Sequence, residues 1–108
     1  MTAPLPPMTE QHLQDAVVQL ATTVGCLTYH AWLSKRSTAG FPDLVVVHEG
    51  TGGLLFAELK RDGKLPTVHQ QRWLVALGRR HVAVLWTPSD LRSGLIARQL
   101  QALGRVAS

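Results

Sequence analysis

Two carboxylates and a lysine carry the chemistry this chain can offer. Asp43 follows a proline in Gly40-Phe41-Pro42-Asp43-Leu44, and Glu58 and Lys60 close Phe56-Ala57-Glu58-Leu59-Lys60. Each motif adjoins an apolar run, Leu44–His48 or Leu54–Leu59, and Glu49-Gly50-Thr51-Gly52-Gly53 between them is a hairpin signal. A hairpin centred on Gly50-Thr51 sets Asp43 directly opposite Glu58, with Cβ atoms roughly 5 Å apart. Strand period then puts Lys60 on the same face and turns Leu59 into the core. The prediction needs an even-numbered turn or a compensating bulge, because an odd turn parts the carboxylates onto opposite faces. Two carboxylates that close repel unless a cation lies between them. Oxygen ligands of this kind select hard ions, Mg²⁺ or Mn²⁺, that keep several waters. Such an ion polarises a phosphate oxygen and acidifies a bound water. Lys60 would orient or activate that water and offset the charge growing on the phosphorane. A bare Glu-x-Lys also fits a strand-end salt bridge of Lys60 with Glu58 or Asp43, so the specificity rests on the whole arrangement.

Helices and strands must hold these groups in place. Thr9 is a candidate N-cap for a helix with Leu13, Val17, Leu20 and Val24 at helical spacing, ending at Gly25. Leu27–Leu33 alternates like a half-buried strand, and Ser34–Gly40 is a polar loop with Lys35 and Arg36. After the hairpin and a polar loop, Arg61–Pro66, Thr67 caps a helix with Gln70, Trp73, Leu74 and Leu77 on one face. His81–Trp86 reads as a buried strand, and Thr87-Pro88-Ser89-Asp90 opens a last helix running to about Leu103. The order is αβββαβα, an α/β domain whose sheet is covered by helices.

Helical phase adds two polar residues to the site. Gln70 shares the core-facing stripe of its helix and Gln71 does not. From there Gln70 could bond metal-bound water or a phosphate, or be satisfied at the rim of the core. Glu10 precedes Leu13 and Val17 by one turn and two, so it leans toward the sheet. It could add a metal carboxylate, or simply be a first-turn glutamate favoured by the helix dipole. The five histidines show no zinc-ligand spacing. Cys26 is the only cysteine, which excludes a disulfide framework.

Composition sets the outer limits. With 108 residues, 45% of them hydrophobic, the chain reads as one folded domain over residues 9–108, after a flexible arm at 1–8 with three prolines. No apolar run approaches a membrane span and the N-terminus lacks a signal-peptide layout, so the expected compartment is the cytoplasm. The net charge is +4, and eight of the eleven Lys and Arg residues are arginine. The guanidinium fork suits phosphate, which favours a polyanionic partner.

Taken together, Glu10, Gly40–Leu44, Phe56–Lys60 and Gln70–Leu74 resemble the VRR-NUC (virus-type replication-repair nuclease) family of the PD-(D/E)XK nuclease superfamily, over nearly the whole chain. The resemblance implies a restriction-endonuclease-like core with a mixed sheet flanked by helices. It also implies Mg²⁺- or Mn²⁺-dependent cleavage of DNA phosphodiesters, often at branches, in the manner of a Holliday-junction resolvase. By that resemblance Asp43, Glu58 and the main-chain carbonyl of Leu59 bind metal, Lys60 is the catalytic lysine, and Gln70 and Glu10 complete the site. The expected DNA face is Lys35, Arg36, Arg61, Lys64 and Arg72, which would position a substrate without reading its sequence. So small a chain must select by branch shape, most economically as a two-fold homodimer. The alternatives are a flap- or end-processing nuclease of the same chemistry, a sequence-specific restriction-type enzyme, and a non-catalytic nucleic-acid-binding module with this fold.

Overall fold

The computed structural model describes residues 7–31 and 38–105. Helix α1 spans Glu10–Thr23, started by Thr9, whose side chain accepts the N–H of His12 at 3.1 Å. Its buried residues Leu13, Val17 and Ala21 recur every four positions, the stripe a helix turns toward a core. Gly25, at φ 88°, leaves the helix by a left-handed turn. Strand β1, Cys26–His30, then begins with Cys26 buried. That phase sends Thr28 and His30 inward with Cys26. Leu27 and Tyr29 face away from α1 at 57% and 67% exposure.

Strands β2, Leu44–His48, and β3, Leu54–Leu59, form the expected antiparallel hairpin. Its register pairs Leu44 with Ala57 and Val47 with Leu54. The His48 N–H meets the Gly53 carbonyl at 2.8 Å and closes a turn of four residues, 49–52, with Gly52 at φ 74°. The turn is even, as the facing of Asp43 and Glu58 requires. Strand β1 pairs antiparallel with β2 on its other side. Helix α2, Val68–Gly78, crosses over to β4, Val82–Trp86, which lies parallel to β3. The sheet is therefore mixed, in the order β1-β2-β3-β4.

The sequence predicts one last helix; two are found. Helix α3 covers Pro88–Arg92 and α4 covers Leu95–Leu103, separated by Gly94 at φ 84°. A residue in that left-handed region ends one helix and starts another in a new direction. The break lets Ile96 and Leu100 of α4 join Leu13, Val17, Leu44, Leu55 and Trp86 in the core. This core fills one face of the sheet, while α2 lies over β3 and β4 on the other. Alternate residues of β3 divide between the faces: Leu55, Ala57 and Leu59 enter the core, and Phe56 and Glu58 turn toward α2. Among the described residues no helix is long and apolar enough to cross a membrane.

Candidate active site

Glu58 lies where the sheet meets the start of α2 and is 2% exposed. Carried one residue beyond Leu44 and Ala57, the hairpin register brings Asp43 to Glu58. Asp43 is fixed by the backbone of β3, its Oδ2 accepting the Leu59 N–H at 2.8 Å. Lys60, 5% exposed, places its Nζ 3.9 Å from Glu58 Oε1, and its own N–H bonds the Trp86 carbonyl at 3.0 Å. The salt-bridge geometry weighed for Lys60 is thus present, but with both partners buried.

Helix α2 supplies the next contact. Gln70 Nε2 donates to Glu58 Oε1 at 2.9 Å, while Gln70 Oε1 accepts the Thr67 N–H at 2.8 Å. The Thr67 side chain in turn accepts the Gln70 N–H at 3.2 Å, which makes a capping box. Thr67-x-x-Gln70 was readable as that motif, yet sequence reasoning used only its threonine. The box fixes the glutamine rotamer, so the helix start itself aims Gln70 at Glu58. Gln71 points elsewhere, to the Pro66 carbonyl at 3.2 Å.

The loop before Asp43 is clamped to the same helix. Gly40, at φ 93°, approaches so closely that a Cβ there would lie 2.5 Å from the His69 carbonyl carbon. Trp73 Nε1 donates to the Ala39 carbonyl at 3.1 Å. Phe41 sits edge-on between Trp73 and Phe56, at centroid distances of 5.1 and 6.2 Å. These contacts fasten the loop to the helix, which ties Asp43 to Gln70. Sequence reading missed this clamp, although the Gly-Phe of the motif was its visible part.

Burial, above all, pushes the Glu58 carboxyl up from 4.5 to about 8. The charge and hydrogen bond of Asp43 act in the same direction, Lys60 opposes them, and Glu10 adds a smaller upward push. Glu58 Oε2 is buried with no hydrogen-bond partner. A proton shared with Asp43 satisfies that oxygen; so does a cation. Two oxygen donors, one of them orphaned, suit a hard divalent ion. The remaining expected ligands are less converged. Glu10 Oε1 is drawn 3.4 Å from Lys64 Nζ, and among the described residues no three His, Cys, Asp or Glu side chains form a ready-made metal cluster.

A cleft of about 800 Å³ opens beside these groups, lined by Glu10, Gln14, His30, Asp43 and Leu59. Of the expected DNA-facing cations, Arg61 is exposed, Lys64 is held by Glu10, and Arg72 lines a separate hollow with His69 and Trp73. Lys35 and Arg36 lie outside the described residues.

No family model matches this sequence, and no curated protein matches it. Solved structures do. One described as a VRR-NUC domain aligns at TM-score 0.65 and 25% identity, over 80% of this chain and 92% of that one. A second, a VRR-NUC domain protein, aligns at TM-score 0.64 and 22% identity over 92% and 93%. A looser likeness, TM-score 0.49 at 21% identity over 74% and 69%, is to Hjc, a Holliday junction resolvase from Archaeoglobus fulgidus.

Proposed function

We propose that this chain, whose fold aligns with solved VRR-NUC domains, is a member of that family and a Mg²⁺- or Mn²⁺-dependent deoxyribonuclease that hydrolyses phosphodiester bonds at branched DNA. The observation that supports this reading most directly is Glu58. It is a buried carboxylate with one oxygen unpartnered, set against Asp43 and Lys60. A binding surface for phosphate gains nothing from clustered negative charge, whereas a hydrolytic metal site depends on it.

In this reading Asp43 and Glu58 hold the ion, with the Leu59 carbonyl and Glu10 as further ligands. When bound, the ion supplies Lewis-acid polarisation of the phosphate and an acidified water. Gln70 holds Glu58 Oε1 and leaves Oε2 as the free donor. Lys60, itself buried, brings positive charge to Glu58, where it would orient the attacking water and stabilise the charge that grows on the phosphoryl oxygens. Glu58 must lose its proton before it can take up a cation, so activity should rise with pH through the neutral range. Arg61, Lys64 and Arg72, with Lys35 and Arg36, supply phosphate contacts. Selection of branches follows most simply from a two-fold dimer presenting two sites to one junction; a strict monomer in sedimentation that still cuts junctions symmetrically overturns that part.

The test is cleavage of linear duplex, flap and four-way junction DNA in Mg²⁺, Mn²⁺ or EDTA. The expected result is metal-dependent cutting of the branched substrates, lost in Asp43→Ala and Lys60→Ala. Cutting unaffected by those substitutions refutes the site. Cutting of no substrate in either metal leaves a nucleic-acid-binding module of the same fold.

A further inference from the structure

Leu65, on the turn between Lys60 and α2, is 82% exposed, and Val68, the first residue of α2, is 71% exposed. Scattered exposed apolar residues are ordinary on a protein surface. These two differ in where they are fixed. The turn is tethered on one side by the Lys64 ammonium, 3.4 Å from Glu10, and by the Lys64 N–H to the Arg61 carbonyl at 3.1 Å. On the other side Gln71 donates to the Pro66 carbonyl, and Thr67 is locked to Gln70. From Leu65 it is two residues to Thr67, then one hydrogen bond to Gln70 and one more to Glu58. An apolar tip is thus held out into solvent at a fixed offset from the carboxylate site, with Lys64 directly before it and Arg61 four residues before it.

Resting on the nuclease reading above, we infer that Leu65, backed by Val68, is an apolar wedge that packs against an unstacked base at the branch point of DNA bound in the site. The exposed Arg61 takes a phosphate and leucine takes the base face. Leucine is among the side chains that proteins insert between base steps. An intact duplex offers no free base face without breaking a stack, whereas a branch point exposes one at little cost. The wedge therefore discriminates by shape.

The experiment uses a four-way junction with 2-aminopurine beside the branch point and a linear duplex carrying it in the same sequence, both in buffer free of divalent cations. The wild-type chain should brighten the junction probe and not the duplex. Leu65→Ser should weaken junction binding about tenfold, or about 1.4 kcal/mol, with duplex binding changed less than twofold; Leu65→Met should restore both signals. Because Leu65 is exposed, the variants should keep the wild-type circular dichroism and melting. Equal loss on junction and duplex, no loss on either, no brightening, or no junction binding by the wild type each overturns the wedge. The two readings fail separately. Leu65-dependent junction binding without cutting in Mg²⁺ or Mn²⁺ sinks the nuclease and keeps the wedge, while metal-dependent cutting with no preference altered by Leu65→Ser does the reverse.

Discussion

Replacing Glu58 by glutamine isolates the electrostatic cost of the site. Glutamine keeps an acceptor for Gln70 and removes the ionisation. In the wild type the folded carboxyl titrates at about 8 against an ordinary 4.5. Between those values the folded chain binds a proton that the unfolded chain has lost, so stability falls as pH rises. The favourable contribution is complete below 4.5 and gone once pH has passed 8. A gap of about 3.5 pH units, at about 1.4 kcal/mol each, sets a ceiling near 5 kcal/mol. Asp43 is only half-buried and the cleft beside it is open, so water will relax the charged form and about 2 kcal/mol is the expected effect. Urea melts in EDTA at pH 5 and pH 9 measure it. The wild type should lose about 2 kcal/mol more than Glu58→Gln between the two, equivalent to about 10 °C in Tm. Parallel pH curves for the two, or a steeper loss in the variant, would refute the assignment of a strained carboxyl here. At pH 9, Mn²⁺ should recover stability in the wild type and not in Glu58→Gln.

Three other substitutions probe the supports of the site. Thr67→Ala removes the capping box and should cost about 1 kcal/mol in urea melts, while the pH at which the wild-type curve bends shifts as Gln70 is released from its fixed rotamer. Gly40→Ala combines φ 93° with a Cβ 2.5 Å from the His69 backbone; it should cost about 2 kcal/mol or more, seen as a Tm lowered by about 10 °C. Asp62 bonds the Ser89 N–H and Oγ and the Arg92 guanidinium, at 3.0, 2.8 and 2.8 Å, and its carboxyl is lowered to about 2, chiefly by Ser89. Its stabilisation is present above the ordinary 3.8 and fades as pH falls toward 2, so Asp62→Asn should flatten acid unfolding in that window.

Much of the site was legible because strand and helix periods are rigid rules. Turn parity alone placed Asp43 and Glu58 on one face, and helical phase chose Gln70, which bonds Glu58, over Gln71, which does not. What escaped prediction depends on how the chain travels between elements. The Lys64–Glu10 pair joins residues 54 apart, and nothing local announces it. Gly94 reads as a tolerated glycine within a helical pattern, yet its positive φ splits the helix so that α4 can turn onto the core. The alternation over Leu27–Leu33 does not say which half faces inward; in the structure the strand that follows Gly25 buries Cys26 and leaves Leu27 and Tyr29 exposed. Turn residues decide phase, and phase decides which side chains are wet.

The mixed sheet also orders events in time. Strands β2 and β3 meet across four residues, so Asp43 and Glu58 can come together in the microseconds a hairpin takes. The parallel partner β4 must wait for α2 to complete its crossover, a slower closure. Until then Glu58 stands in water beside Asp43, without the burial that raises its carboxyl in the folded chain. Only when α2 docks and seals Glu58 does the pair capture a proton. Refolding at pH 7 should therefore draw one proton from the buffer in its last phase, visible with an indicator dye in stopped flow, and the finished site is one that folding itself has charged with acid.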